Sequence, residues 1–169
     1  NHATFEHLTP EARYWVGFLW ADGCLSLAKR RRKSGKIVFY KMISVNLAVR
    51  DKGHLEKLRH FLGSKHKITV YTYRSSFGIT TQARFAFISS KMWTNLARYG
   101  LTARKAGKAC KTLVTSSDFW RGMIDGDGSI GLLRQRYPSV KLDGKLELLS
   151  QFKAYVASVT GHNYTISLH

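Results

Sequence analysis

Two segments of the chain nearly repeat each other: Trp15-Val16-Gly17-Phe18-Leu19-Trp20-Ala21-Asp22-Gly23 and Trp120-Arg121-Gly122-Met123-Ile124-Asp125-Gly126-Asp127-Gly128. Trp15 answers to Trp120, Gly17 to Gly122 and Asp22 to Asp127 at one constant offset, which points to duplicated halves. Gly17 and Ala21 stand four apart, as do Gly122 and Gly126, so each segment, if helical, carries a stripe of small residues on one face. Two such stripes allow close backbone approach and would bring Asp22 and Asp127 together at the helix ends. A carboxylate at the negative end of a helix is poorly placed unless a cation accompanies it. Two carboxylates with exposed helix-end carbonyls make a hard oxygen site, suited to magnesium more than zinc. Asp22-Gly23 alone also reads as a simple helix stop; its recurrence as Asp125-Gly126-Asp127-Gly128 favours the metal reading.

The partner follows from charge. With 28 Lys+Arg against 10 Asp+Glu, the 169-residue chain carries a formal +18, which points to a polyanion, nucleic acid first. A membrane surface fits less well, because no stretch is long and apolar enough to span and the basic residues are dispersed. Cys24 and Cys110 form no CxxC pair, so neither a disulfide framework nor a zinc site is indicated, and a reducing intracellular compartment is expected. His54, His60, His66 and His162 are scattered without zinc spacing. The first residues do not read as a signal peptide, and the absence of an initial methionine reads as a trimmed or excised piece.

Thr9-Pro10-Glu11 is a helix entry, and a helix from Pro10 to Ala21 follows. Cys24 to Lys29 and Ile37 to Val49 read as a hairpin whose loop holds the basic run Lys29 to Lys36. Leu55, Leu58 and Leu62 give a second helix stopping at Gly63; Ile68 to Tyr73 and Gln82 to Ile88 give another hairpin; Met92, Leu96 and Tyr99 mark a third helix. The first half is thus αββαββα. The second half restarts with a helix from Ser117 to Gly126, a hairpin of Ser129 to Arg136 and Val140 to Leu149, and a helix from Gln151 to Thr160. It stops near the counterpart of Val70, so the second repeat is expected to be truncated or degenerate. The expected division is 1–112 for the first repeat with its linker and 113–169 for the second.

Both segments resemble the LAGLIDADG motif of homing endonucleases and maturases. The second matches the consensus at its third, fifth, sixth, eighth and ninth positions, and the first at its third, seventh, eighth and ninth, with Trp20 where the family often has an acid. The resemblance implies an α+β fold, a pseudo-twofold repeat of αββαββα units. Two antiparallel saddle-shaped sheets would lie on DNA, with the motif helices at the centre. It implies a monomer making magnesium-dependent double-strand breaks with short 3′ overhangs, calcium or manganese being able to substitute, in a long, partly asymmetric duplex target. Asp22 and Asp127 would be the catalytic, metal-binding carboxylates, one per strand, with the carbonyls of Ala21 and Gly126 as further ligands. Lys105 resembles a lysine common at that point of the family's active sites. The rival expectation is a maturase or regulator that binds without cutting; an intron- or intein-borne origin would suit either.

A β-ribbon fits the major groove, and strand alternation nominates its contacts. Tyr40, Ser44 and Asn46 oppose the apolar face of the second strand; Lys67, Thr69, Tyr71 and Tyr73 face away from Ile68 and Val70; Gln82 and Arg84 oppose Phe85 and Phe87. Arg134, Arg136, Lys141 and Lys145 are expected to stand likewise in the second half. The loop residues Lys29, Arg30, Arg31, Arg32, Lys33 and Lys36 suit phosphate contact better than base readout. The tryptophans are expected in the core or in helix contacts.

Overall fold

A computed structural model describes residues 3–76, 78–102 and 107–166. The element order is α1 (Pro10–Asp22), β1 (Gly23–Arg31), β2 (Ile37–Ala48), α2 (Lys52–Phe61), β3 (Ile68–Ser75), β4 (Gly78–Ile88), α3 (Ser90–Arg98), α4 (Lys111–Val114), α5 (Ser117–Asp127), β5 (Gly128–Leu133), β6 (Tyr137–Leu142) and α6 (Leu146–Thr160). The class is α+β with antiparallel sheets: the first repeat runs α1 to α3 as αββαββα, and the described second repeat runs α5 to α6 as αββα. The chain divides into two compact units. One joins Asn1–His7 to Asp22–Ala97, and the other joins Leu8–Ala21 to Arg98–His169.

The first unit is built on a four-stranded sheet in the order β1-β2-β4-β3. Its core face follows from alternation: Leu25 pairs with Ile43, Ile43 with Phe87, and Val45 with Phe85, and all are buried. Leu55 and Leu58 of α2 and Met92 and Leu96 of α3 supply the buried helical stripes of this unit. Ser89 Oγ accepts the Met92 N–H at 3.3 Å, capping α3. Gly63 ends α2 in the left-handed region at φ 57°, where a side chain would strain the turn.

The second unit holds α1 through Ala21, α4, α5, α6 and the β5–β6 hairpin. Thr9 Oγ1 accepts the Ala12 N–H at 3.2 Å, so α1 starts where the Thr-Pro entry predicts. Every residue from Trp15 to Ala21 is buried, as expected of a helix apolar on all sides. Trp120 anchors this core: its Nε1 donates to the Val114 carbonyl at 2.8 Å, and its rings meet Phe152 at 5.0 Å and Tyr155 at 6.0 Å. Trp15, Trp20 and Trp120 are core residues, as the sequence led one to expect. Gln151 of α6 clamps the preceding linker, accepting from the Ala109 N–H and donating to the Ala109 carbonyl, both at 2.9 Å.

The second hairpin is shorter than alternation suggests. β5 stops at Leu133 rather than Arg136, and β6 stops at Leu142 rather than Leu149. Asp143 and Gly144 break the strand, and Leu146 to Leu149 begin α6, where Leu148 is buried on helical rather than strand spacing. Residues 162–166 form neither helix nor strand.

Candidate functional site

α1 and α5 meet through their small residues. A Cβ added at Gly17 would lie 2.1 Å from the Phe119 carbonyl oxygen, and one added at Gly122 would lie 2.0 Å from the Tyr14 carbonyl oxygen. The same pair of contacts repeats at the next backbone atoms, Gly17 against the Met123 nitrogen and Gly122 against the Phe18 nitrogen. Tyr14 corresponds to Phe119 and Phe18 to Met123 at the repeat offset, so the packing is reciprocal, as a local twofold relation requires. Both helices run out at their acids: Asp22 is the last residue of α1 and Asp127 the last of α5, each half-buried. The Asp127 carbonyl accepts the Asp143 N–H at 3.2 Å, tying the end of α5 to the chain just after β6.

The reciprocity breaks in side-chain chemistry. Trp20 packs edge-on against Phe119, with ring centroids 5.9 Å apart and planes at 88°. The corresponding contact joins Tyr14 to Asp125: the Tyr14 hydroxyl donates to Asp125 Oδ2 at 2.7 Å. Burial and then the Asp125 carboxylate push the Tyr14 phenol upward, so it stays a protonated donor at neutral pH. Arg121 lies over the Tyr14 ring at 4.9 Å and pairs with Asp118 at 3.3 Å. Sequence reasoning missed Tyr14 because it precedes the motif. The signal was present at the repeat offset, where Tyr14 and Asp125 answer to Phe119 and Trp20.

The second constellation is the sheet face away from the core of the first unit. The ladder sets Asn46 beside Arg84 and Arg84 beside Thr69 in one row, and Ala48, Gln82 and Tyr71 in the next. Tyr73 and Thr80 pair beyond them, and Tyr40 stands opposite Ala28 toward the β1–β2 tip. Tyr40, Ser44, Asn46, Thr69, Tyr71, Tyr73, Gln82 and Arg84 therefore share one face, the alternation reading giving their parity. No Asp or Glu stands at any strand position of that face. Tyr71 and Tyr73 stack at 5.9 Å, and the Tyr71 hydroxyl donates to Gln82 Oε1 at 3.0 Å. Ser44, however, is only 4% exposed: it is a short side chain on an inner strand, flanked by the longer Met42 and Asn46. Lys67 is exposed just before β3.

The first three residues of the basic run are strand rather than loop. Lys29, Arg30 and Arg31 belong to β1, with Lys29 and Arg31 on the core-side parity opposite Phe39 and Ile37. Only Arg30 shares the outer face, its guanidinium 5.8 Å from the Tyr40 ring centre. Arg32, Lys33 and Lys36 sit exposed at a tight turn closed by the Arg32 N–H to the Lys36 carbonyl at 2.9 Å. Gly35 permits that turn with φ 81°. In the second unit Arg134 and Arg136 lie in the turn between β5 and β6, because the strands end early, and Lys145 precedes α6. Lys141 alone of that set stands on a strand, beside Ser129. Lys105 lies outside the described residues.

Among the described residues no group of three or more His, Cys, Asp and Glu side chains gathers as a metal cage, and no helix is long and apolar enough to cross a membrane. A metal at either helix end would draw on that end's aspartate, Asp22 or Asp127, with helix-end carbonyls, water and substrate oxygen, a donor set of the hard kind that suits magnesium or calcium.

No protein-family model and no curated protein matches the sequence. Solved structures do match. The LAGLIDADG meganuclease I-CpaMI, bound to uncleaved DNA, superimposes with a TM-score of 0.52 at 11% identity, over 90% of this chain and 75% of that one. The fold is that of the LAGLIDADG homing endonucleases. The LAGLIDADG homing endonuclease I-GzeII, in complex with its DNA target, matches with a TM-score of 0.49 at 14% identity over 79% of this chain. I-LtrWI, bound to target DNA, gives 0.46 at 14% over 84%. The chain spans 65% of the I-GzeII chain and 66% of the I-LtrWI chain. The duplicated segments that resemble the LAGLIDADG motif lie on α1 and α5.

Proposed function

We propose that the chain is a sequence-specific, metal-dependent DNA endonuclease acting as a monomer. The observation that carries this reading is the reciprocal packing of α1 on α5 through Gly17 and Gly122, each helix ending in an aspartate at the same repeat position. The solved neighbour I-CpaMI is a meganuclease bound to DNA, which supports the same partner here. The net charge of +18 and a sheet face without acids agree with a duplex as ligand.

Asp22 and Asp127 would hold divalent ions, magnesium in the cell, with the carbonyls of Ala21 and Gly126 as further oxygen donors. When bound, such an ion neutralises charge on the scissile phosphate and makes a water more acidic. Each aspartate would serve one strand: water attacks phosphorus in line with the departing 3′ oxygen, leaving a 3′ hydroxyl and a 5′ phosphate. Lys105 would steady the developing charge. Double-strand breaks with short 3′ overhangs are the expected products, in a long, partly asymmetric target. The basic turn Arg32 to Lys36 would hold phosphates, and the face from Tyr40 to Arg84 would read bases. The two unpaired cysteines suit a reducing intracellular compartment, and an intron- or intein-borne origin fits the activity.

A second reading is binding without cutting, since the +18 charge and the sheet face without acids support a duplex partner whether or not it is cleaved. The deciding experiment is cleavage of a randomised duplex library by the purified chain in magnesium, with calcium as the binding control. Site-specific double-strand cuts support the endonuclease. Selective binding without cuts supports the second reading, and no selective binding overturns both.

A further inference from the structure

The outer sheet face contains one arginine that the fold does not use. Arg84 stands on β4, an inner strand, half-buried in a row between Asn46 of β2 and Thr69 of β3. Among the described residues its guanidinium has no hydrogen bond, ion pair or ring contact, whereas Arg30 lies over Tyr40, Arg121 pairs with Asp118, and Arg31 Nε donates to the Gly35 carbonyl at 3.3 Å. Its five fixed donors reach solvent rather than a protein acceptor, and no carboxylate stands on that face to match them. Its neighbours leave it open: Asn46 and Thr69 are short and polar, and the Gln82 amide two residues away is engaged by the Tyr71 hydroxyl at 3.0 Å.

We propose that Arg84 reads a guanine in the major groove, its planar fork donating to O6 and N7. This rests on the reading of the outer face as the duplex-binding surface. Position separates a base from a phosphate as the acceptor. Arg84 sits in the middle of the four-stranded sheet, where a β-ribbon laid in the groove faces base edges, while the exposed cations Arg32, Lys33 and Lys36 cluster at the hairpin tip, where backbone is reached. The guanidinium fork also matches the paired acceptors of guanine better than any other major-groove edge. Asn46 and Thr69 then flank the contact in the same row and adjust to the adjoining bases.

The test is selection of bound duplexes from a randomised library in calcium, with the full chain, Arg84→Ala, Arg84→Gln and Arg32→Ala. The wild-type chain is expected to enrich guanine at one position. Arg84→Ala should lower that preference roughly ten- to hundredfold while leaving the other positions intact. Arg84→Gln should move the preference at that position toward adenine, a switch that loss of folding cannot produce. Arg32→Ala should weaken all sequences alike and flatten the salt dependence. A guanine preference that survives Arg84→Ala, or a uniform loss of affinity in that variant with a flatter salt slope, would overturn the proposal in favour of a phosphate contact. If the wild-type chain selects no duplex at all, the DNA-binding reading fails and this inference with it, an outcome distinct from a lost base preference.

Discussion

Leu25 and Ile43 face each other across the β1–β2 hairpin, and both are 0% exposed. Ile130 and Val140 face each other at the corresponding step of the β5–β6 hairpin, and they are 75% and 51% exposed. The local sequence is alike, with an apolar pair two residues beyond the glycine that follows each motif aspartate. The difference is cover. In the first unit β4 extends the sheet and brings Phe85 and Phe87 alongside, over a core that includes Leu55, Leu58, Met92 and Leu96. The described residues of the second unit give a two-stranded sheet. Strand alternation states which face can be buried; burial itself needs another element. The helices α1 and α5 behave oppositely, since each is the other's cover and their contacts match pair by pair.

The sharpest way to break this comparison is at the helices. Gly17→Ala and Gly122→Ala should each destabilise the protein by more than about 4 kcal/mol, because either methyl group meets a backbone carbonyl that can move only if the helices part. Denaturant unfolding should give nearly equal losses; a clear inequality would mean that the two motif copies are not equivalent in packing. Next come the hairpins. Leu25→Ala should cost about 3 kcal/mol by opening a cavity, whereas Ile130→Ala should stay within about 0.5 kcal/mol. A large loss at Ile130 would show that its face is covered in solution. The smallest effect belongs to the polar half of the helix contact. Tyr14→Phe should cost about 1 kcal/mol through the lost hydrogen bond to Asp125, and that loss should vanish when Asp125 is already replaced by leucine.

Much of this arrangement is legible in the amino-acid sequence. The offset between the motif copies announces two related helices, and the Gly17 and Gly122 stripes announce that they can approach closely. Alternation gives the parity of Asn46, Arg84, Thr69 and Tyr71, because a strand with one buried face fixes its other face too. What escapes a reading of the sequence depends on tertiary neighbours. Ser44 has the right parity but is sunk between longer side chains. Lys29 to Arg31 read as loop because charge is dense there, yet the β1–β2 ladder extends through Arg31. Arg134 and Arg136 read as strand, and the turn takes them with φ near 51° at Arg134 and 58° at Gln135. The region of Leu146 to Leu149 carries both a strand-like and a helical apolar pattern, and α6 claims it.

The assignment of one DNA strand each to Asp22 and Asp127 is a proposal. It is tested most directly by Asp22→Asn and Asp127→Asn on the target recovered from the library, with the two strands labelled differently and cleavage followed in magnesium. Each variant is expected to bind the target still in calcium and to cut a single strand, the two cutting opposite strands. Cleavage of both strands by either variant, or loss of binding in both, would contradict it.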